Sequence, residues 1–463
     1  MQQGLPVFVL VGRPNVGKST LFNRLTGTRD ALVADFPGLT RDRQYGFGVF
    51  EERRFIVVDT GGLMPESSDA LAGLAEDQAQ IALEDADHIL FLTDALAGRH
   101  GSDSEIASLL RRTGKPVHLL VNKAEGRDKT TAAGDFFELG IGEPRPVSAQ
   151  HGDGLAALLR ELLAGVAPNI EAARGDDEVR VAIVGRPNVG KSTLVNRLVG
   201  EERVLAADQP GTTRDAIRVP FVYDGKPFVL IDTAGVRRRA RIDETIEKFS
   251  VIKTLQAIEQ AHVVVVVVDA KNDIGEQDAR LMGLVAEAGR AMVLAVNKWD
   301  RLPSDERDQV RYQVTLKMPY LDYVPTHYIA AKFGSGLGEL MIAVQQAFEG
   351  ATIEMPTPEL TRILERSVEA HNPPAVLGRR IKLRYAHQSG RNPPKVMIHG
   401  NQTEKLPVAY RRYLVNEFRN HFKLKGVPLQ VEFKTGDNPF KDKKNKLTPR
   451  QIASRKRMID RWH

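Results

Sequence analysis

Two lysines carry the first chemical signal in this sequence of 463 residues. Lys18 and Lys191 each sit in the run GRPNVGKS, which matches G-x-x-x-x-G-K-[ST]. Gly12 and Gly17 in the first run, and Gly185 and Gly190 in the second, allow the tight turns such a loop needs. The backbone through Arg13, Pro14, Asn15 and Val16, or through Arg186, Pro187, Asn188 and Val189, can then wrap a phosphate at a helix N-terminus. There the helix dipole favours an anion. Lys18 and Lys191 are placed to reach the β- and γ-phosphates, and Ser19 and Ser192 to ligand Mg²⁺. One such loop could be a chance glycine-rich turn, but two in register with the motifs that follow leave little room for chance.

A second pair of motifs ends two apolar runs: Asp59-Thr60-Gly61-Gly62 and Asp232-Thr233-Ala234-Gly235. Asp59 and Asp232 can hold Mg²⁺ directly or through water. The N–H of Gly62 or Gly235 can contact the γ-phosphate and so report its presence. Thr40 and Thr213 lie upstream, where a hydroxyl completes the Mg²⁺ shell. Either threonine alone would be read as a turn residue, and it is the order and spacing that favour the functional role. Lys18, Thr40 and Gly62 are therefore the catalytic candidates of the first copy, and Lys191, Thr213 and Gly235 those of the second.

Base selection points to guanine. Asn297-Lys298-Trp299-Asp300 follows the apolar run AMVLAV. A carboxylate only accepts hydrogen bonds, and it can take two from guanine N1–H and the exocyclic amine. Adenine lacks that donor pair, so a buried Asp300 should discriminate by about 10⁴. The first copy reads Asn122-Lys123-Ala124-Glu125. The longer Glu125 keeps the carboxylate but predicts looser binding. Ser148-Ala149-Gln150 and Ala330-Ala331-Lys332 follow the last strands, where the N–H of Ala149 or Ala331 can donate to guanine O6.

These motifs need strands that end at one edge of a sheet, and the chain supplies them twice. Gly12 to Gly27 and Gly185 to Gly200 differ only at Phe22/Val195 and Thr26/Val199, and the two P-loop lysines lie 173 residues apart. The same offset relates Thr40 to Thr213 and Asp59 to Asp232, so a whole domain is duplicated. Apolar runs alternate with helix-length segments, which predicts an α/β fold: a mainly parallel sheet with helices on both faces and ligands at the strands' carboxyl ends. The expected boundaries are a first nucleotide domain at 1–167 and a flexible acidic linker at 168–178 (PNIEAARGDDE). A second nucleotide domain at 179–350, an α+β domain at 351–440 and a basic tail at 441–463 complete the chain. In the α+β domain, helices at Leu360–Ala370 and Val408–Phe422 are expected beside the strands RRIKLRYAH, KVMIHG and LQVEFK.

Composition bounds the rest. The chain has no cysteine, which excludes disulfides, thiolate metal sites and cysteine nucleophiles. The N-terminal LPVFVLVG has no basic leader and reads as a buried strand, not a signal peptide. The longest uniformly apolar run, Val263 to Val268, is far short of the roughly 20 residues of a membrane helix. A cytoplasmic monomer without membrane contact is expected. Net charge is +6, but residues 351–463 hold 24 Lys and Arg against 10 Asp and Glu, a net +14. The first 350 residues therefore carry −8, and a basic module on an acidic body suggests a polyanionic partner.

In order and content these motifs resemble the small GTPase superfamily. The duplication followed by a basic domain resembles more narrowly the Der (EngA) family, bacterial double-Era-like GTPases that end in a KH-like domain. The resemblance covers essentially the whole chain. It implies hydrolysis of GTP to GDP, and a role in late assembly of the large (50S) ribosomal subunit through contact with its rRNA. Two positions depart from the family motifs: Glu125 stands where Asp is usual, and Ala330 where Ser is usual. Leu63 and Val236 follow the motif glycines where many GTPases carry a water-orienting glutamine, so unaided hydrolysis should be slow. In similar GTPases a P-loop asparagine helps bind K⁺, and Asn15 and Asn188 match that position. Their bland role would be to stabilise the loop turn.

Nucleic-acid-binding KH domains clamp the RNA backbone with a GXXG loop. None occurs from Ala351 onward. RNA contact then falls to basic surface such as Arg411, Arg412, Arg419, Lys441, Lys443, Lys444, Lys446, Arg455, Lys456 and Arg457. Two other readings compete: a signalling GTPase that engages only protein partners, and an ATP-driven enzyme, which Asp300 disfavours.

Overall fold

The computed structural model describes residues 5–27, 45–60, 80, 82–126, 133–167, 178–201, 218–231, 251–272, 275–317, 322–374 and 381–435. Thr40, Gly61, Gly62, Leu63, Thr213, Asp232, Thr233, Ala234, Gly235 and Val236 lie outside them, as do linker residues 168–177 and the tail 441–463.

Both nucleotide domains are α/β. The first holds a six-stranded sheet ordered β2-β3-β1-β4-β5-β6. Its strands are β1 (Val7–Val11), β2 (Tyr45–Phe50), β3 (Arg53–Asp59), β4 (His88–Asp94), β5 (Val117–Asn122) and β6 (Arg145–Pro146). All neighbours pair in parallel except the edge strand β2, which forms an antiparallel hairpin with β3. The second sheet comprises β7 (Val179–Val184), β8 (Arg218–Tyr223), β9 (Lys226–Ile231), β10 (Val263–Asp269), β11 (Ala291–Asn297) and β12 (Thr326–Tyr328). Its order, β12-β11-β10-β7-β9-β8, is the first read from the other edge. Sequence alternation explains how the sheets are buried. In β10, Val263, Val265 and Val267 pack into one core and Val264, Val266 and Val268 into the opposite one. A strand covered on both faces has no polar side to spare, and this one is valine throughout until Asp269.

Each P-loop runs into a helix: α1 (Lys18–Thr26) in the first domain and α4 (Lys191–Glu201) in the second. The other helices used below are α2 (Gly101–Arg112), α3 (Leu155–Leu162), α5 (Val251–Gln260), α6 (Glu276–Glu287), α7 (Ser304–Lys317), α8 (Leu337–Ala351), α9 (Thr357–Ala370) and α10 (Val408–His421).

The third domain is a three-stranded sheet, β13 (Leu383–Gly390), β14 (Lys395–Gly400) and β15 (Gln430–Thr435). Its inner face, with Ala386, Val396, Ile398 and Val431, packs on Leu360, Ile363 and Leu364 of α9 and on Leu414 and Phe418 of α10. Two sequence boundaries shift. Helix α9 starts at Thr357 rather than Leu360, because Pro358 is well placed in a first turn, where its missing N–H costs nothing. Strand β13 starts at Leu383, later than the run RRIKLRYAH suggests.

This domain is fused to the second nucleotide domain by a common core that passes through Ala347, Ala351 and Met355. Gly426 donates to Tyr323 O and accepts from Met292 N, both at 2.6 Å. A Cβ at Gly426 would lie 2.6 Å from Met292 O, so only glycine allows the approach. The first domain meets the second along another seam. Ile252 and Leu255 of α5 and Leu284 of α6 share a core with Tyr45, Ala82 and Ala86. Glu259 of α5, nearly buried, lies 2.9 Å from Arg54 of the first domain and 2.9 Å from Arg290 of the second. No helix among the described residues is long and apolar enough to cross a membrane.

Candidate functional site

The two P-loops share one geometry. Gly17 and Gly190 adopt φ of 99° and 102°, a region that L side chains rarely enter. A Cβ at either would stand 2.3 Å from an asparagine amide nitrogen, that of Asn122 or Asn297. Gly12 and Gly185 press as closely on the carbonyls of Leu92 and Val267. Asn15 and Asn188 hold φ of 64° and 63°, the left-handed conformation that asparagine tolerates better than most residues. Neither side-chain amide makes a hydrogen bond among the described residues, so their amide oxygens are not spent on closing the turn.

Lys18 is nearly buried and donates to the carbonyls of Gly12 at 2.7 Å and Arg13 at 2.8 Å. Burial lowers its pKa, against the opposing pull of Asp59. Lys191 donates likewise to Arg186 O at 2.8 Å. These are loop-internal bonds that a phosphate oxygen can replace. Ser19 Oγ donates to Asp59 Oδ2 at 3.0 Å, which brings two hard oxygen donors together at the strand's end. That pairing suits Mg²⁺, which takes oxygen ligands and keeps much of its water. Thr60 is fixed beside them by its bond to Leu10 O at 2.7 Å.

Asn122 and Asn297 tie the phosphate loop to the base loops. Asn122 Nδ2 donates to Val16 O at 2.8 Å, and its Oδ1 accepts from Ala149 N at 2.8 Å. Asn297 repeats this with Val189 O at 2.8 Å and Ala331 N at 3.0 Å. Both side chains are buried. Lys123 and Lys298 arch back over the P-loop to the carbonyls of Asn15 and Asn188 at 3.0 and 2.9 Å. Each is held by an aspartate, Asp94 or Asp269, at 2.6 Å. Burial pushes the Asp94 carboxyl up, but Lys123 and the N–H groups of Leu96 and Ala97 outweigh it and leave the pKa lowered.

Asp300 is exposed and not buried as expected, in a 3-10 turn (Trp299–Arg301) just past the end of β11, and Glu125 is likewise exposed in a turn past β5. Only a base lying over the loop would cover them. The loops also differ from each other. Trp299 packs on Tyr328 with ring centroids 4.2 Å apart and a 38° tilt, and Arg307 and Arg311 lie 5.6 and 5.5 Å from its ring. The first loop has only the small, buried Ala124 at that position. Ser148 Oγ accepts from His151 N at 3.1 Å. Ala330 has no hydroxyl, and there Phe333 N donates to the Ala330 carbonyl at 2.9 Å, so that departure leaves the loop closed.

Two kinds of residue escaped the sequence reading. Asp94 and Asp269 position the motif lysines. Asp103 and Asp278, both fully buried, brace the P-loop arginines: Arg13 at 3.4 Å and Arg186 at 2.6 Å. The available signal was their common offset of 175 residues, which Asn122 and Asn297 share. The 173-residue offset of the P-loops has thus already become 175 at Asp94 and Asp269.

A family model described as "50S ribosome-binding GTPase" matches residues 7–123 and again 180–298. A second, described as the C-terminal KH-domain-like region of EngA bacterial GTPase enzymes, matches residues 354–434. The chain is 54% identical over 459 residues to GTPase Der of Thioalkalivibrio sulfidiphilus, covering 98% of each chain. It is 54% identical over 457 residues to GTPase Der of Methylococcus capsulatus, again covering 98% of each. Among solved structures, Aquifex aeolicus Era bound to GDP and aluminium fluoride matches at 19% identity and a TM-score of 0.28, over 56% of this chain and 93% of that one.

Proposed function

Because the chain belongs to the Der (EngA) family and is a GTP hydrolase, we propose that it acts as a switch with two guanine-nucleotide sites in assembly of the large (50S) ribosomal subunit, in the cytoplasm and as a monomer. The observation that carries this reading is the coexistence of two matched nucleotide cradles with a basic third domain fused to the second of them. An acidic body offers no generic attraction for RNA, so the +14 of residues 351–463 is the electrostatic anchor for rRNA. A switch that engages only proteins would leave that charge without a role.

In each site the chain's own residues have distinct tasks. The P-loop N–H groups and Lys18 or Lys191 receive the phosphates. Ser19 with Asp59, and Ser192 with Asp232, would hold Mg²⁺, joined by Thr40 and Thr213. Once bound, Mg²⁺ neutralises charge that develops on the β- and γ-phosphate oxygens. Gly62 and Gly235 offer N–H groups to the γ-phosphate. Asn15 and Asn188, whose side-chain amides make no hydrogen bond among the described residues, would supply oxygen to K⁺ where Leu63 and Val236 cannot orient water. Asp300 and Glu125 accept from guanine, whereas the N–H groups of Ala149 and Ala331, expected to donate to its O6, already donate to the Oδ1 atoms of Asn122 and Asn297. Glu125, where the second site has Asp300, makes the first site the looser one.

The test is co-sedimentation with ribosomal subunits across a salt series, with GTP or GDP. Binding to large subunits should depend on nucleotide and fall linearly with salt on a log–log plot, by about 0.7–0.9 log units per phosphate neutralised. Deleting Lys441 to His463 should flatten that slope and leave GTP hydrolysis by the free protein intact. An unchanged slope after deletion would make the tail a bystander and favour the protein-only switch.

A further inference from the structure

The side of the third sheet turned away from α9 and α10 carries an arrangement that the nucleotide chemistry does not use. Tyr385 on β13 and His399 on β14 are directly opposed, their rings 4.4 Å apart and within 5° of parallel. His387, two residues along β13, lies 5.2 Å from His399 and 6.0 Å from Tyr385. Lys434 on β15 opposes His399 from the other side. One row thus crosses all three strands as tyrosine, imidazole and ammonium. The column ends on the edge strand at Tyr385, which is 41% exposed and has its ring stacked against His399. His399 Nε2 has no hydrogen-bond partner among the described residues. Burial, with His387 and Lys434 beside it, lowers the His399 pKa, so this imidazole is a neutral flat ring at pH 7.

Charge and composition decide what fits such a face. A protein partner would look for an apolar patch. Tyr385 is the one large exposed apolar side chain on this sheet among the described residues. A nucleobase needs a flat ring to extend and a cation for its phosphate, and both are present. Stacking also suits a domain without a GXXG clamp, because it does not require the backbone grip that such a loop provides.

We propose that the outer face of β13–β15, centred on Tyr385 and His399, is a stacking platform for an unpaired RNA base, with Lys434 beside the adjoining phosphate. This rests on the reading of the third domain as an RNA anchor and specifies what that anchor recognises: single-stranded segments, by their bases.

The full-length protein is titrated by fluorescence anisotropy into an eight-nucleotide single-stranded RNA and into an RNA duplex of the same length. The wild type should prefer the single strand. Tyr385→Leu, which keeps apolar bulk on the sheet, should weaken single-strand binding by about 5- to 100-fold with an unchanged salt slope. Tyr385→Phe should bind like wild type. Lys434→Gln should lower the slope by about 0.7, the signature of one lost phosphate contact. With wild-type protein, 2-aminopurine in the bound strand should be quenched by stacking, a readout that does not depend on any variant folding. Unquenched emission, or full affinity in a folded Tyr385→Leu protein, would overturn the platform while leaving RNA binding by the basic surface intact. Failure of the wild type to bind either RNA would overturn the platform and the RNA anchor together.

Discussion

Replacing Asn297 by alanine should cost the second site most of its nucleotide affinity without touching any group that meets the nucleotide through its own side chain. The side chain is 3% exposed and serves two backbone groups, Val189 O on the P-loop and Ala331 N on the base loop. Alanine strands both. An unpaired buried backbone group costs about 1–3 kcal/mol, so the pair costs about 2–6 kcal/mol. Part is recovered if water enters the space, which sets the expected loss near 3 kcal/mol, about a hundredfold in affinity. Calorimetric GTP titration in a chain whose first site is silenced by Lys18→Ala isolates this effect. Asn297→Asp discriminates further. It keeps an acceptor for Ala331 N–H but sets a carboxylate against the Val189 carbonyl, and it should be no milder than alanine. A loss below about threefold in both variants would refute the view that this side chain organises the cradle.

Glu125→Asp should tighten GTP binding at the first site by about tenfold, the scale of one misplaced methylene, measured by titration with Lys191→Ala in place. If affinity is unchanged, the inequality of the sites lies with Trp299 and its packing on Tyr328. GTP hydrolysis should run several-fold faster in K⁺ than in Na⁺, and Asn15→Ala combined with Asn188→Ala should erase the difference. Equal rates in the two salts for the wild type would remove K⁺ from the mechanism. Arg54→Met should loosen the first domain from the second. Glu259 keeps Arg290 at 2.9 Å, so the cost falls at the low end of the 2–5 kcal/mol seen when a buried charge loses one partner. Small-angle scattering should report a larger radius of gyration, and an unchanged profile would show the seam to be held by its apolar contacts alone.

What was legible in the sequence follows from where the partners lie. The P-loops, Asp59 and the Asn-Lys motifs could be read because each is a fixed pattern within a few residues, and the structure brings them together at the carboxyl ends of neighbouring strands. Duplication placed the sheet strands, since one run such as Val263–Val268 confirms its counterpart. Asp94 and Asp103 were missed because their partners are distant: Lys123 lies 29 residues from Asp94, and Arg13 lies 90 from Asp103. Glu259 reads as an ordinary charged residue late in an amphipathic helix. Only the fold shows it nearly buried between Arg54 and Arg290. Asp300 was expected to be buried from its chemistry, but it lies exposed in the short 3-10 turn that follows β11, a placement the residue's type alone does not give. The ring column at Tyr385 was invisible for a related reason: its rings come from two strands whose register the sequence does not print.

The asparagine bridge also says something about the history of the chain. Two copies of one ancestral domain have drifted apart within a single polypeptide, free to diverge wherever geometry allowed. Phe22 faces Val195, Ser148 faces Ala330, and Glu125 faces Asp300, and the spacing changed by two residues between the third strand of each sheet and its fourth. Against that background Asn122 and Asn297 stand unchanged, each with the same two backbone partners at nearly the same distances. No other side chain of that length offers both a donor and an acceptor in one plane without charge, apart from glutamine, which is a methylene too long for the gap beside Gly17 or Gly190. The molecule thus carries a record of which of its contacts were negotiable. The surface turns that carry Glu125 and Asp300 could be rewritten, but the joint that holds the neighbouring loops to the P-loop could not.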